Sequence, residues 1–192
     1  MKNMNKILVL DNYDSFTYNL VHYIEDITKQ SIDVFRNDKI ELSRIQEYDA
    51  IILSPGPGLP KDAGIMPELI KTYGSRKKIL GICLGHQALI EAYGGSLINL
   101  EKVYHGVATN VEIDSSQAVF SNLPNSIEVG RYHSWAVNKN DFPSCFDVIA
   151  KDSNGIIMAA KHKTHNLVGL QFHPESILTP NGYQILKNWI NN

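Results

Sequence analysis

Cysteine is scarce: only Cys83 and Cys145 occur in 192 residues. Two thiols cannot build the disulfide framework on which small secreted domains depend, so a reducing cytoplasm is the expected setting. An excess of charge of one sign is also missing. Lys and Arg number 18 against 20 Asp and Glu, a net charge of −2, which leaves no electrostatic footprint for nucleic acid or an anionic membrane. No run approaches the roughly 18 apolar residues of a membrane span. The opening Met1-Lys2-Asn3-Met4-Asn5-Lys6 is short and polar, without the apolar core of a signal peptide. Repeats, linkers and low-complexity tracts are lacking too. His162, Lys163 and His165 read as a solvated hairpin turn without an accompanying cysteine or carboxylate, so no metal site is expected there.

What is present is a chain with 43% hydrophobic residues, enough for one domain over 1–192 with a substantial core. Its first half alternates strands and helices. Ile7 to Leu10, Ile32 to Phe35, Ala50 to Leu53 and Lys77 to Ile82 read as strands. Phe16, Leu20, Val21 and Ile24 share one helix face behind an Asp14 or Ser15 cap, and Met66 to Tyr73 reads as a second helix. Such alternation predicts a parallel sheet with helices on both faces and ligands at the carboxyl ends of its strands. After Gly94-Gly95 the pattern becomes short strands separated by turns: Ser96 to Leu100, Val107 to Ile113, Tyr132 to Val137, Asp147 to Ala150, Ile156 to Lys161 and Leu167 to Phe172, with a closing helix at 181–190. Some of these strands are expected to be antiparallel. The fold class is therefore α/β: an open mixed, mostly parallel sheet flanked by helices, with an antiparallel extension in the second half.

Three segments carry chemistry. Gly81-Ile82-Cys83-Leu84-Gly85-His86 joins a strand to a helix, which makes Gly-x-Cys-x-Gly the thiol form of a nucleophile elbow. The start of the following helix favours a negatively charged sulfur. A lone buried cysteine is more often inert core; its partners make the difference. Gln171-Phe172-His173-Pro174-Glu175 supplies a base, His173, and an orienting carboxylate, Glu175, two residues apart and so on one side of an extended chain. Ser54-Pro55-Gly56-Pro57-Gly58 is a rigid loop with exposed N–H groups of the kind an oxyanion hole needs. The N–H groups of Gly56 and Leu84 are the expected oxyanion donors, and Cys83, His173 and Glu175 the expected catalytic triad. The proline–glycine loop lacks the Gly-Lys-Ser/Thr ending of a phosphate cradle. Cys145, with no basic neighbour, is expected to be structural. His86 packs or hydrogen-bonds under the elbow, and His133 is either a pocket wall or a buried polar group.

Together these segments resemble the class I, triad-type glutamine amidotransferases, with a flavodoxin-like sheet. Asp11-Asn12-Tyr13-Asp14-Ser15-Phe16-Thr17-Tyr18-Asn19-Leu20, His105-Gly106 and Arg131-Tyr132-His133-Ser134-Trp135 are similar to the amidotransferase subunits of anthranilate and aminodeoxychorismate (para-aminobenzoate) synthase. The resemblance implies a glutaminase that forms a cysteinyl thioester and needs no cofactor. It implies that L-glutamine is held by Gly56, Pro57, Gly58, Gln87, Ser134 and Trp135. It further implies that a chorismate-using synthase subunit docks over the site and receives the ammonia. Trp135 stands where the subfamily commonly has Leu, and Val107 where it commonly has Lys. A stand-alone γ-glutamyl cysteine hydrolase is the alternative reading.

Overall fold

Strand β1 (Ile7–Asp11) is buried along its whole length, as a continuous apolar run must be when both sheet faces are covered. The computed structural model describes residues 6–192; the polar stretch 1–5 lies outside the described residues. After β1 come α1 (Thr17–Thr28), β2 (Asp33–Arg36), β3 (Ala50–Leu53), α2 (Met66–Tyr73), β4 (Lys78–Ile82) and α3 (Leu84–Ala92). The second half contributes β5 (Leu97–Asn99), β6 (Val107–Ile113), β7 (Ser126–Arg131), β8 (Trp135–Val137), β9 (Phe146–Asp152), β10 (Ile157–His162), β11 (Leu167–Leu170) and α4 (Gly182–Asn191).

Nine strands form one sheet in the order β2-β1-β3-β4-β11-β10-β9-β6-β7. The pairs from β2 to β11 are parallel and those from β11 to β7 antiparallel. The last parallel strand comes from the far end of the chain: β11 lies beside β4 in the register Leu170–Ile82. This pairing brings the segment 171–175 next to the elbow, although 88 residues separate Cys83 from Gln171 in sequence. A separate ribbon, β5 with β8, sits beside the site.

Side-chain alternation sorts the core into two layers. Ile7, Val9, Ala50, Ile52, Leu80 and Ile82 face Leu20 and Ile24 of α1 and Ile185, Leu186 and Trp189 of α4. Leu8, Leu10, Ile51, Leu53 and Ile79 face Met66, Leu69 and Ile70 of α2 and Leu84, Leu89 and Ile90 of α3. The carboxyl ends of β1, β3, β4 and β11 open on one side of this sandwich, and all the candidate loops leave from them.

Several expectations need correction. Helix α1 starts at Thr17 with no side-chain cap. The Asp14 carboxylate instead accepts the Phe16 N–H at 2.8 Å, and Asp11 Oδ1 accepts from Tyr13 N–H and the Thr17 hydroxyl. The acidic residues before the helix shape the loop rather than its first turn. The expected strand Tyr132 to Val137 is split: Arg131 ends β7, Trp135 begins β8, and the residues between cross to the site. Strand β7 itself was not among the expected strands, although Ile127 and Val129 alternate into the core. His162 is not on a solvated turn. It is buried, its ring 4.3 Å from His165 and 4.9 Å from both Tyr93 and Phe146.

Candidate active site

Cys83 occupies a backbone conformation that few side chains adopt, φ 51°, between the end of β4 and the first turn of α3. A non-glycine residue held there stores strain that the surroundings must over-determine. They do so by hydrogen bonds: Cys83 N–H donates to Leu170 O at 2.7 Å, and the Cys83 carbonyl accepts Gln87 N–H at 3.0 Å. The turn also needs close backbone contacts. A side chain on Gly81 would strike the Gly85 backbone, and one on Gly85 would come within 2.5 Å of Leu53 O.

His173 is held from both sides. Its N–H donates to Gly130 O at 3.0 Å, its carbonyl accepts the Thr179 hydroxyl at 2.6 Å, and that hydroxyl accepts Gly130 N–H at 2.9 Å. Its Nδ1 lies 2.6 Å from Glu175 Oε1, and both side chains are almost wholly buried. With Nδ1 engaged, Nε2 is left for the thiol. Burial works to lower the His173 pKa, but the neighbouring Cys83, followed by Glu175, overrides it and holds it well above the ordinary imidazole value. Tyr132 and Phe16 cover the ring, with centroids 4.8 and 6.3 Å away.

A cavity of about 160 Å³ opens at Cys83 and is lined by Gly56, Pro57, Gly58, Leu84, Gln87, Tyr132, His133, Ser134 and Trp135. Every residue expected to hold glutamine is in this wall, as are both expected oxyanion donors. The Gly56 loop is braced from below: Asn12 N–H donates to Ser54 Oγ and Asn12 Nδ2 to Ser54 O, both at 2.8 Å, and the Asn12 carbonyl packs against Gly56.

Sequence reasoning missed several neighbours. Gln171 Nε2 donates to Cys83 Sγ at 3.6 Å, and Gln171 Oε1 accepts from Gln87 Nε2 at 3.2 Å. Gln171 opens the motif that holds His173, but nothing in its spacing marks it as a partner of sulfur. Asn12 lies in the N-terminal string before α1, where its bracing role becomes visible only once β1 and β3 are adjacent. Tyr132 joins the cavity wall and also reaches Ser176 Oγ at 3.0 Å. His133 proves to be both alternatives at once, buried and in the wall. His86 packs without hydrogen bonds from either ring nitrogen to any described group.

An elbow-mounted thiol beside a buried His–Glu pair, at the carboxyl edge of an α/β sheet, defines the class of cysteine-dependent α/β enzymes. Comparison with known proteins narrows this. The family model described as Glutamine amidotransferase class-I matches residues 8–192. The chain is 42% identical over 186 residues to the aminodeoxychorismate/anthranilate synthase component 2 of Bacillus subtilis, covering 96% of this chain and 95% of that one. It is 39% identical to the bifunctional protein TrpGD of Thermotoga maritima, covering 98% of this chain but only 32% of that longer protein. Among solved structures, a glutamine amidotransferase from Thermotoga maritima superposes with a TM-score of 0.79 at 20% identity, over 98% of this chain and 81% of that one, which shows a shared fold. The chain belongs to the class I glutamine amidotransferases.

Proposed function

We propose that this chain, acting as one amidotransferase domain over 1–192, hydrolyses L-glutamine and passes the ammonia to a chorismate-using synthase subunit. The observation that carries the reading is the cavity in which Cys83 and all the expected glutamine-holding residues meet, with the His173–Glu175 pair packed against the thiol. Its small volume suits a single amino acid rather than a peptide.

Cys83 sulfur, its proton held by His173, attacks the side-chain amide carbon of glutamine. The carbonyl π-electrons move to oxygen, where the N–H groups of Gly56 and Leu84 receive the charge; one such donor is worth roughly 3–4 kcal/mol. Collapse breaks the carbon–nitrogen bond, and His173 gives its proton to the departing ammonia. Water, losing a proton to His173, then attacks the γ-glutamyl thioester; the proton returns to sulfur and glutamate leaves. Glu175 keeps the imidazole oriented throughout. None of these steps calls for a metal or cofactor.

The partner follows from the product, since ammonia released into solution is lost. The similarity to a component 2 protein supports a component 1 partner that makes anthranilate or aminodeoxychorismate. The free thiols Cys83 and Cys145 suit a cytoplasmic setting, and no described helix is long and apolar enough to cross a membrane. The test is glutamate and ammonia release from glutamine by the chain alone and with each candidate component 1. Stimulation by one partner, with aminated chorismate formed, is the expected result. A Cys83→Ser protein that kept glutaminase activity would overturn the mechanism. Full activity unchanged by either partner would instead make the chain a free-standing γ-glutamyl hydrolase.

A further inference from the structure

A buried chain of hydrogen bonds ends on the backbone of the cavity wall, and none of the steps above uses it. Arg131, at the end of β7, is 1% exposed. Its Nη1–H donates to Asp152 Oδ2 at 2.7 Å and its Nε–H to His133 Nε2 at 3.1 Å. The Arg131 guanidinium lies 3.5 Å from the centre of the Tyr104 ring, which also stacks on His133 at 5.4 Å. Asp152 is fixed in turn, accepting the N–H groups of Asn154 and Ile156 at 2.9 and 2.8 Å.

An arginine side chain has donors only, so His133 Nε2 must accept and cannot carry a proton. The imidazole is then neutral, with its one proton on Nδ1. That proton points at Trp135 O, 2.8 Å away. Burial, and next the Arg131 charge, lower the His133 pKa to about 4, which agrees with the neutral ring. Trp135 O accepts a second bond, from Gln87 Nε2 at 2.9 Å.

The other carbonyls of this stretch are also taken: His133 O by Tyr104 N–H at 3.0 Å and Ser134 O by Leu100 N–H at 2.8 Å. The N–H groups are not. Ser134 N–H donates to nothing among the described residues. The ladder bonds Leu100 N–H to Ser134 O and Asn138 N–H to Ser96 O set the parity of the β5–β8 ribbon. Asn99 and Trp135 then face each other as a non-hydrogen-bonded pair, which leaves Trp135 N–H outside the ladder. Both Ser134 and Trp135 line the cavity. A wall with three occupied carbonyls and two open N–H groups selects an anionic group.

We propose that Arg131 and His133 are positioning residues: the Nδ1-protonated tautomer of His133, imposed by Arg131 and anchored by Asp152, clamps the Trp135 carbonyl so that the Ser134 and Trp135 N–H groups face the carboxylate of the substrate. This rests on the reading of the cavity as a glutamine site.

The test separates the two ring nitrogens. In His133→Asn the amide reaches the place of Nδ1, keeping a donor for Trp135 O and losing the acceptor for Arg131. His133→Gln does the reverse. The expected result is a KM for glutamine within about threefold of wild type for Asn and raised about tenfold for Gln, the effect of one lost hydrogen bond, with kcat changed less in each. A space-filling role predicts the opposite order, because glutamine is nearer to histidine in size, and that order would overturn the clamp. Should either variant fail to fold, nitrogen-15 NMR of the wild-type imidazoles decides: Nδ1 of His133 is expected to be protonated, and a proton on Nε2 refutes the proposal. A wild-type chain without glutaminase activity even beside each candidate component 1 would sink the glutamine reading instead, while the tautomer measurement would still decide whether the clamp exists.

Discussion

Gly182 touches Pro174: a methyl group on Gly182 would overlap the Pro174 carbonyl oxygen. Pro174 is the residue between His173 and Glu175, so the first turn of α4 is the floor on which the His173–Glu175 pair stands. The pair owes its geometry to this contact as well as to its own 2.6 Å hydrogen bond. The site thus depends on a helix that contributes no catalytic side chain.

Gly182→Ala is expected to push the Pro174 peptide and misalign His173 with Glu175. Overpacking of this kind costs about 1–3 kcal/mol, and a misplacement near 1 Å costs on the order of 10²-fold in rate. Glutaminase kcat and the urea midpoint should both fall. Wild-type values for both would show that α4 yields freely and that the floor is not rigid.

His86 governs the acid side of the stability profile. It is wholly buried beneath the elbow, against Gly169, and burial, with the nearby His133, lowers its pKa from 6.5 to about 3. Below pH 6.5 the unfolded chain takes up a proton that folded His86 refuses. Stability therefore falls as the pH drops, by up to about 1.4 kcal/mol per pH unit, until the folded pKa is reached. Because neither ring nitrogen has a partner among the described residues, His86→Leu should cost little at pH 7. Between pH 7 and pH 5 the variant should gain about 2 kcal/mol on wild type in urea unfolding. Parallel profiles for the two proteins would show that folded His86 binds a proton as readily as a free histidine does.

Much of the site was legible because its loops follow apolar runs. Leu53, Ile82 and Leu170 each end a buried strand, and the Gly56 loop, Cys83 and His173 follow within a few residues. Local pattern places such residues at strand ends, and sheet order then brings them together. Partnerships made only by distant pairing were not legible. Gln171 reaches Cys83 Sγ because β11 lies beside β4. His162 is buried because Tyr93 and Phe146 come to it from other elements. Gln87, expected to hold substrate, lines the cavity but also spends its amide on Trp135 O and Gln171. Of the N-terminal string, Tyr18 is 64% accessible, whereas the half-exposed Tyr13 donates its hydroxyl to Asp38 Oδ1 at 2.7 Å and lies under the Arg36 guanidinium.

Lys78 tests the opposite end of the sheet and the opposite end of the pH scale. It opens β4, with its ammonium 4.8 Å from the centre of the Trp189 ring and one hydrogen bond, at 3.3 Å, to Ile190 O. Burial lowers its pKa from 10.5 to about 8. Below pH 8 the folded chain bears the full cost of that charged group. Between pH 8 and 10.5 folded Lys78 releases its proton while the unfolded chain keeps it, so stability contributed by this site rises with pH. Lys78→Met keeps the apolar stem over Trp189 and removes the charge. It should be the more stable protein at pH 7 by about 1 kcal/mol, a figure reduced for the solvent that still reaches the ammonium. The gap should narrow from pH 8 upward and close only above pH 10.5. Subtracting the wild-type profile from that of the variant cancels every other titrating group, so a difference that stays constant from pH 7 to pH 10 would mean that Lys78 titrates like a surface lysine.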